Sequence, residues 1–91
     1  MNEYFVLHDG YSVELSLYNA ILKRVEGAIP KMKPGRKYEL RRLCGYNFWD
    51  PLGPGKQRIA GRCLSHMVVM ELLPLTVAKA NYEYPKQYKL K

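Results

Sequence analysis

The sequence predicts an α+β fold in which a β-hairpin, three helices and a second β-hairpin follow one another along the chain. Strand-type patterns occur in residues 3–16 and again in residues 75–90. Between them, apolar residues recur every three or four positions over residues 17–29 and 54–72, which is the period of amphipathic helices. Turn-forming glycines and prolines separate these segments, so the chain reads as one small domain.

Length and composition support a single domain with a real core. The chain has 91 residues, of which 47% are hydrophobic, so it differs from a disordered tail. Its length excludes the large cofactor folds, because dinucleotide-binding α/β domains and barrels need more chain. We expect residues 1–16 to form an N-terminal hairpin extension and residues 17–91 to form the core.

The compartment is inferred from the cysteines and from the apolar segments. Cys44 and Cys63 are too few for a disulfide framework. The first residues lack a basic region and a long apolar run, so no signal peptide is visible. No stretch approaches the roughly 20 apolar residues of a membrane span. The predicted location is therefore the reducing cytoplasm, without membrane association.

The N-terminal hairpin is predicted from a turn between two β-prone segments. Residues 4–7 are β-prone, and Asp9-Gly10 is a favoured two-residue hairpin turn. In the return strand, Tyr11, Val13 and Leu15 fall on one face. A helix that already starts at Ser12 is the competing interpretation.

The first helix is predicted to start at Ser16, whose hydroxyl suits an N-cap. Its apolar stripe is formed by Leu17, Ile21, Val25 and Ala28, with Leu22 and Ile29 beside it. Pro30 is expected to end the helix, since the residue before a proline avoids the α region. Residues 31–36 then form a basic turn.

The middle of the chain is predicted to form short secondary-structure elements. Residues 37–39 suit a very short strand, and residues 40–44 suit a short helix that Gly45 closes. Residues 46–55 combine aromatic side chains with prolines and glycines, so they are interpreted as a turn anchored by aromatic packing. Trp49 is expected to lie in the core rather than to stack on a base.

The longest helix is predicted from about Pro54 to Leu72, with Pro74 stopping it. Its broad apolar face comprises Ile59, Ala60, Cys63, Leu64, Met67, Val68 and Met70. Its opposite, polar face comprises Arg58, Arg62, Ser65 and His66, with Val69 as the one apolar exception. Two strands, residues 75–79 and 86–90, follow and enclose a polar, aromatic tip.

This order of elements is that of a winged helix-turn-helix domain: helix, short strand, short helix, turn, longer helix and hairpin. In that architecture the longer helix lies in the major groove of DNA and the hairpin forms a wing beside it. The charge distribution agrees with such a partner. Residues 1–30 carry a net charge of −2 and residues 31–91 carry +9, and basic charge concentrated in this way favours a polyanion.

The candidate DNA-binding residues follow from that placement. Arg58 and Arg62 are one helical turn apart, so both project in the same direction from the first half of the longest helix. An arginine can bond a guanine edge with two hydrogen bonds or hold a phosphate. The other candidates lie at the start of that helix, on the short helix and along the C-terminal hairpin: Lys56, Gln57, Arg41, Arg42, Lys79, Asn81, Lys86 and Lys89.

A pattern of leucine, glycine, aromatic and polar positions runs through the second part of the chain, at residues 38–45, Trp49, residues 57–64, Asn81 and Tyr88. Through this pattern, residues 17–91 resemble a family of small bacterial and phage winged-helix proteins of unknown function. The chain departs from the family pattern at two positions that are usually aromatic, which here are Cys44 and Leu64. The resemblance implies a winged-helix fold and a DNA-binding role, but it supplies no reaction and no operator.

Sites of other chemistry are excluded by spacing. Residues 53–56 lack the preceding glycine and the following hydroxyl of a phosphate-binding loop. The histidines and cysteines lack zinc-ligand spacing, and Cys63 lies on the apolar helix face, where a buried thiol is expected. His66 is interpreted as a surface histidine, and its neighbour Ser65 points about 100° away on a helix, so the two cannot form a catalytic dyad. We therefore expect no enzyme, no metal and no cofactor.

Two alternatives to duplex DNA binding remain open at this point. The basic face could meet an acidic protein surface, as in a phage-encoded inhibitor of a host machine. Tyr82 and Tyr84 could instead stack on the bases of single strands or RNA. If the protein binds duplex DNA, it could do so as a homodimer on two half-sites.

Overall fold

The computed structural model describes residues 3–78 and 86–91, and these form an α+β fold. The strands are β1 (Tyr4–Val6), β2 (Ser12–Glu14), β3 (Tyr38–Glu39), β4 (Leu75–Val77) and β5 (Gln87–Leu90). The helices are α1 (Leu15–Ala28), α2 (Leu40–Cys44), α3 (Tyr46–Trp49) and α4 (Gly53–Val69), with 3₁₀ turns at Ile29–Lys31 and Asp50–Leu52.

The N-terminal hairpin is confirmed, but its loop is longer than the predicted two-residue turn. β1 and β2 are antiparallel with Phe5 opposite Val13. The ladder continues to Leu7, whose N–H donates to the carbonyl of Tyr11 at 2.8 Å. Three residues therefore form the loop, and the last of them, Gly10, has φ +87°. A three-residue loop of this kind places its final residue at positive φ, which glycine adopts without strain.

The first helix begins directly where the hairpin ends. α1 starts at Leu15, with Glu14 as an N-cap that makes no side-chain bond, so the Ser16 cap and the alternative start at Ser12 are both wrong. The physical reason is the hairpin ladder, because the N–H of Leu15 donates to the carbonyl of Glu3 at 2.8 Å. At the other end, Pro30 lies in a 3₁₀ turn that continues α1.

The short strand and the short helix before Gly45 are confirmed. The predicted turn over residues 46–55 is wrong, because α3, a 3₁₀ turn and the start of α4 occupy these residues. Gly45 separates α2 from α3 with φ +90°, a conformation that L side chains rarely adopt. Trp49 is half-buried and packs against the core, as expected.

α4 is the longest helix, but it ends at Val69 rather than at Leu72. The N–H of Leu72 donates to the carbonyl of Met67, and the N–H of Glu71 donates to that of Val68. These two bonds form a Schellman motif, and Glu71 holds its left-handed position with φ 56°. The motif, rather than Pro74, therefore ends the helix.

The C-terminal hairpin pairs with the short strand to form a three-stranded sheet in the order β3-β5-β4. Both pairings are antiparallel, and Tyr88 lies between Tyr38 and Val77. The two predicted strands of this hairpin are confirmed, but Ala78 and Lys86, which were predicted to belong to them, lie just outside β4 and β5. The predicted tip, with Asn81, Tyr82 and Tyr84, and the end of the first strand at Lys79 lie outside the described residues.

One core joins the N-terminal hairpin to the helices and the sheet. Leu7 and Val13 from the hairpin belong to the same buried cluster as Ile21 of α1, Leu64 of α4 and Tyr88 of β5. The predicted extension therefore packs as part of the fold.

The helix faces were predicted correctly except at three positions. Tyr18, which lies outside the predicted stripe of α1, is buried. His66 was placed on the polar face of the long helix but is only 5% exposed, because the N-terminal hairpin covers it. Met70 was placed on the apolar face but is 52% exposed, because it follows the last residue of α4.

Candidate nucleic-acid interface

The outer strip of α4 is the face of the longest helix that points away from the core. At 100° per residue, it comprises Arg58, Arg62, Ser65 and Val69. Arg58 is exposed, and among the described residues it makes no hydrogen bond, ion pair or ring contact. Its guanidinium is therefore available to an anion. Lys56 is also exposed and lies at the positive end of the α4 dipole, which favours phosphate.

Arg62 lies one turn further along and is held by the N-terminal hairpin. Its Nη1 donates to Oδ2 of Asp9 at 3.1 Å, and its Cζ lies 4.5 Å from the centroid of the Tyr11 ring. The Arg62 and Asp9 side chains remain 47% and 39% exposed. Arg58 and Arg62 therefore share a side of the helix, as predicted, but only Arg58 is unpaired within the described part of the chain.

The tip of the hairpin is itself fixed in place. Oδ1 of Asp9 accepts a hydrogen bond from the backbone N–H of Tyr11 at 3.1 Å. That bond contributes most to a lowered pKa of Asp9, to which the charges of Arg62 and His8 add against the opposing effect of burial. The backbone N–H of His8 donates to Nδ1 of His66 on α4 at 2.8 Å. The hairpin tip and α4 are thus attached to each other at two points.

The C-terminal hairpin borders the other side of the strip. Nζ of Lys86 lies 3.5 Å from the hydroxyl oxygen of Ser65, which is a long hydrogen bond. Lys89 is half-buried in β5 opposite Thr76. The remaining candidates on this hairpin, Lys79 and Asn81, lie outside the described residues.

Gln57 is directed toward the protein itself. Its Nε2 donates to the backbone carbonyl of Trp49 at 3.1 Å, and the residue is half-buried. This bond joins the start of α4 to the end of α3. A DNA contact by Gln57 stays a prediction that requires the bond to open.

The two arginines of α2 lie beside aromatic rings. Arg41 forms a two-point contact with Asp50, at 3.1 and 3.3 Å, and its Cζ lies 4.4 Å from the centroid of the Tyr46 ring. Arg42 lies 5.7 Å from the centroid of the Tyr38 ring, and Arg36 lies at the same distance from that ring. These guanidinium groups are exposed, and each lies within cation–π distance of a ring.

A small polar cavity of about 180 Å³ opens between α2 and the three-stranded sheet. It brings together three cations, one carboxylate and three other polar side chains: Lys37, Arg41, Arg42, Glu39, Tyr38, Tyr46 and Gln87. Most of its charge is positive, so it suits an anionic group such as a phosphate. The sequence predicted the two arginines as DNA-binding candidates, but it did not predict that Lys37 and Gln87 join them.

A second, larger groove of about 380 Å³ lies between the N-terminal hairpin, α1 and the start of α4. Its walls include Tyr4, Leu17, Phe48 and Ile59, together with the charged residues Glu14 and Lys56. Lys56, a candidate for phosphate binding, is thus at the edge of a mainly apolar groove.

The sequence did not predict the residues that hold Arg62. Asp9 was interpreted only as a turn residue and Tyr11 only as a strand residue. Asp9 and Arg62 are 53 positions apart in the chain, and a contact over such a separation leaves no local pattern in the sequence. The only signal was the excess of acidic charge in residues 1–30, which indicated that this segment can approach a basic one.

Comparison with protein-family models, with curated proteins and with solved structures gives no match for this chain. The resemblance seen in the sequence therefore stays a prediction. No helix in the described ranges is long and apolar enough to cross a membrane. Within residues 3–78 and 86–91, no group of three or more His, Cys, Asp and Glu side chains gathers where it could hold a metal ion.

Proposed function

We propose that this chain is a small winged-helix domain that binds double-stranded DNA as a regulator or an accessory architectural factor. The outer strip of α4 would enter the major groove, and the hairpin of β4 and β5 would lie beside it as the wing. The order of elements supports this assignment, since α1, β3, α2, α4, β4 and β5 follow one another as a winged helix requires. The sheet order β3-β5-β4 also supports it.

One observation carries the proposal: Arg58 is exposed in the first half of α4, the longest helix, and it is unpaired among the described residues. An arginine in this position can contact a phosphate or a guanine edge without first breaking a bond within the protein. Lys56 adds a second exposed positive charge near the start of the same helix, on the side that borders the groove with α1.

The polar cavity beside α2 supports a backbone contact outside the groove. Arg41, Arg42 and Lys37 line it, and their positive charges suit a phosphate of the strand that flanks the major groove. Arg41 is partly neutralised by Asp50, so we expect it to contribute less than an unpaired arginine.

Duplex binding is tested by fluorescence anisotropy with random-sequence double-stranded DNA at low salt. We expect dissociation constants in the micromolar range that rise steeply with salt, which is typical of non-specific DNA binding. Arg58→Ala should weaken binding several-fold and lower the slope of log affinity against log salt by about 0.9, the value for one lost phosphate contact.

Lys23→Ala is the matched control for that variant. Lys23 is exposed on α1 and lies outside the outer strip, so its removal changes the net charge equally. The proposal is wrong if wild-type protein at micromolar concentration fails to bind duplex DNA at low salt. It is also wrong in its placement of the interface if Arg58→Ala and Lys23→Ala weaken binding equally.

A protein-binding module is the second candidate, and the groove of about 380 Å³ is the observation that favours it. Tyr4 lines this groove with 59% of its surface exposed, and apolar grooves of this kind suit protein partners. A duplex-binding result that depends on Arg58 favours the first candidate. Preference for single-stranded over duplex DNA would instead favour the alternative hypothesis, in which aromatic residues stack on the bases of single strands.

A further inference from the structure

The N-terminal hairpin adds a feature to α4 that the winged-helix order does not contain. We propose that Arg62 reads a guanine in the major groove, and that Asp9 and Tyr11 at the hairpin tip hold its guanidinium in position for this contact. The inference rests on the proposed function, because it requires that the outer strip of α4 meets duplex DNA.

The contacts of the Arg62 guanidinium leave one pair of its donors open among the described residues. Tyr11 covers one of its faces, with Cζ 4.5 Å from the ring centroid, and Asp9 accepts a hydrogen bond from Nη1 at 3.1 Å. Among the described residues, Nε and Nη2 donate to no partner. These two nitrogens form one fork of the guanidinium, and such a fork matches the O6 and N7 acceptors of guanine.

The residues that hold Arg62 are themselves fixed by hydrogen bonds. Both oxygens of Asp9 are engaged, Oδ1 with the N–H of Tyr11 and Oδ2 with Arg62. The bond from His8 to His66 attaches the same tip to α4. Arg62 is therefore held before DNA arrives, so binding costs less side-chain entropy than it costs for a free arginine.

The charge of Asp9 favours a base over a phosphate as the partner of Arg62. A carboxylate beside Arg62 neutralises much of the attraction that the arginine would have for a phosphate, and it repels the phosphate directly. A guanine edge carries no full charge, so it keeps its two hydrogen bonds to the fork. Arg58 has no such carboxylate within the described residues. The two arginines therefore have different roles, in which Arg58 binds the DNA backbone and Arg62 reads a base.

The Arg62 side chain is 47% exposed, so the hairpin holds the group without enclosing it.

The experiment selects bound duplexes from a random pool with the wild-type protein, Asp9→Asn and Arg62→Ala. Affinities are then measured for the selected duplex and for each single base-pair change in it. We expect the wild type to prefer guanine at one position by about tenfold. Arg62→Ala and Asp9→Asn should both lose this preference, while Asp9→Asn keeps or increases its affinity for random duplex DNA.

Asp50→Asn is the matched control, because Asp50 is the carboxylate of the other exposed arginine pair, with Arg41. It adds the same net charge but should leave the guanine preference unchanged. Tyr11→Phe keeps the aromatic ring under Arg62 and should also keep the preference. Thermal unfolding of each variant checks that the fold is retained.

Three results would overturn the inference. If Asp9→Asn tightens binding to every duplex while the guanine preference persists, the hairpin only masks Arg62. If the wild type binds duplex DNA without any base preference, the inference fails and the proposed function stands. If the wild type does not bind duplex DNA at all, the proposed function fails and the inference fails with it.

Discussion

The backbone N–H of His8 donates to Nδ1 of His66 at 2.8 Å, across 58 positions of the chain. Nδ1 can accept this bond only when it carries no proton. The His66 ring is buried against the rings of Phe5 and Tyr18, with centroids 5.4 and 5.9 Å away. Attachment of the hairpin to α4 therefore depends on a neutral imidazole in an aromatic environment.

Acid should weaken the fold through His66. Burial, helped by the charge of His8 and opposed by that of Asp9, lowers the pKa of His66 below its ordinary 6.5. As pH falls below 6.5, the unfolded chain takes up a proton that the folded chain still refuses, so the free energy of unfolding falls until the folded group also titrates. Chemical denaturation at pH 7 and at lower pH should show this loss.

His66→Asn separates this effect from general acid destabilisation. The asparagine side chain offers an oxygen near the position of Nδ1 and does not titrate, so its stability should depend less on pH in this range. His8→Gln is the control, since the backbone N–H that makes the bond remains. An equal pH dependence in wild type and His66→Asn would show that His66 does not titrate with folding.

Glu71→Gly should stabilise the protein. Glu71 holds φ 56° at the end of α4, and a left-handed conformation costs an L residue about 1 kcal/mol. The substitution also removes the ion pair with Lys91, but both side chains are largely exposed, so that loss is less than about 1 kcal/mol.

Glu71→Gln isolates the ion pair, because it keeps the strained backbone and removes the charge. We expect it to be neutral or slightly destabilising, while Glu71→Gly raises the midpoint of thermal unfolding. A lower midpoint for the glycine variant than for the glutamine variant would contradict the assignment of the Schellman motif.

Leu64→Ala should destabilise the protein by about 2–5 kcal/mol, the range for a fully buried leucine. Leu64 is 0% exposed in the centre of the core, between the helices and the sheet. Val69→Ala on the same helix should change the stability by less than about 0.5 kcal/mol, because Val69 is 59% exposed. Urea denaturation measures the free energy of unfolding of both variants. Similar losses of stability in the two variants would show that the buried face of α4 is misplaced.

The two thiols should be unreactive in the folded protein. Cys44 and Cys63 are buried, and burial raises the pKa of Cys44 to about 12 and that of Cys63 to about 11. At pH 8 almost no thiolate forms, so a disulfide reagent should label neither residue until the chain unfolds. Rapid labelling of one thiol under native conditions would indicate that its part of the core opens locally.

The sequence predicted the elements whose signals are local. The hairpin turn, the stripe of α1 and the break at Gly45 each follow from neighbouring residues, and each was found close to its predicted position. α3 was missed because a four-residue helix shows no full period, and the nearby prolines and glycines indicated a turn.

The missed part of the candidate site depends on tertiary packing. His66 has the helical position of a surface residue, and it is buried only because the hairpin docks there. For the same reason, the pairing of Arg62 with Asp9 has no counterpart in the spacing of α4. The exposure of Arg58 was predicted correctly, since it follows from the phase of the helix alone.

The sheet order β3-β5-β4 has a consequence for biosynthesis. The central strand leaves the ribosome last of the three, so β3 and β4 emerge with unpaired backbone groups on the sides that β5 later fills. The hairpin of β1 and β2 and the adjoining α1 involve only near neighbours, and they can form while synthesis continues. A chain in which β5 has not yet paired therefore has two open strand edges, and open edges can pair with the strands of another chain.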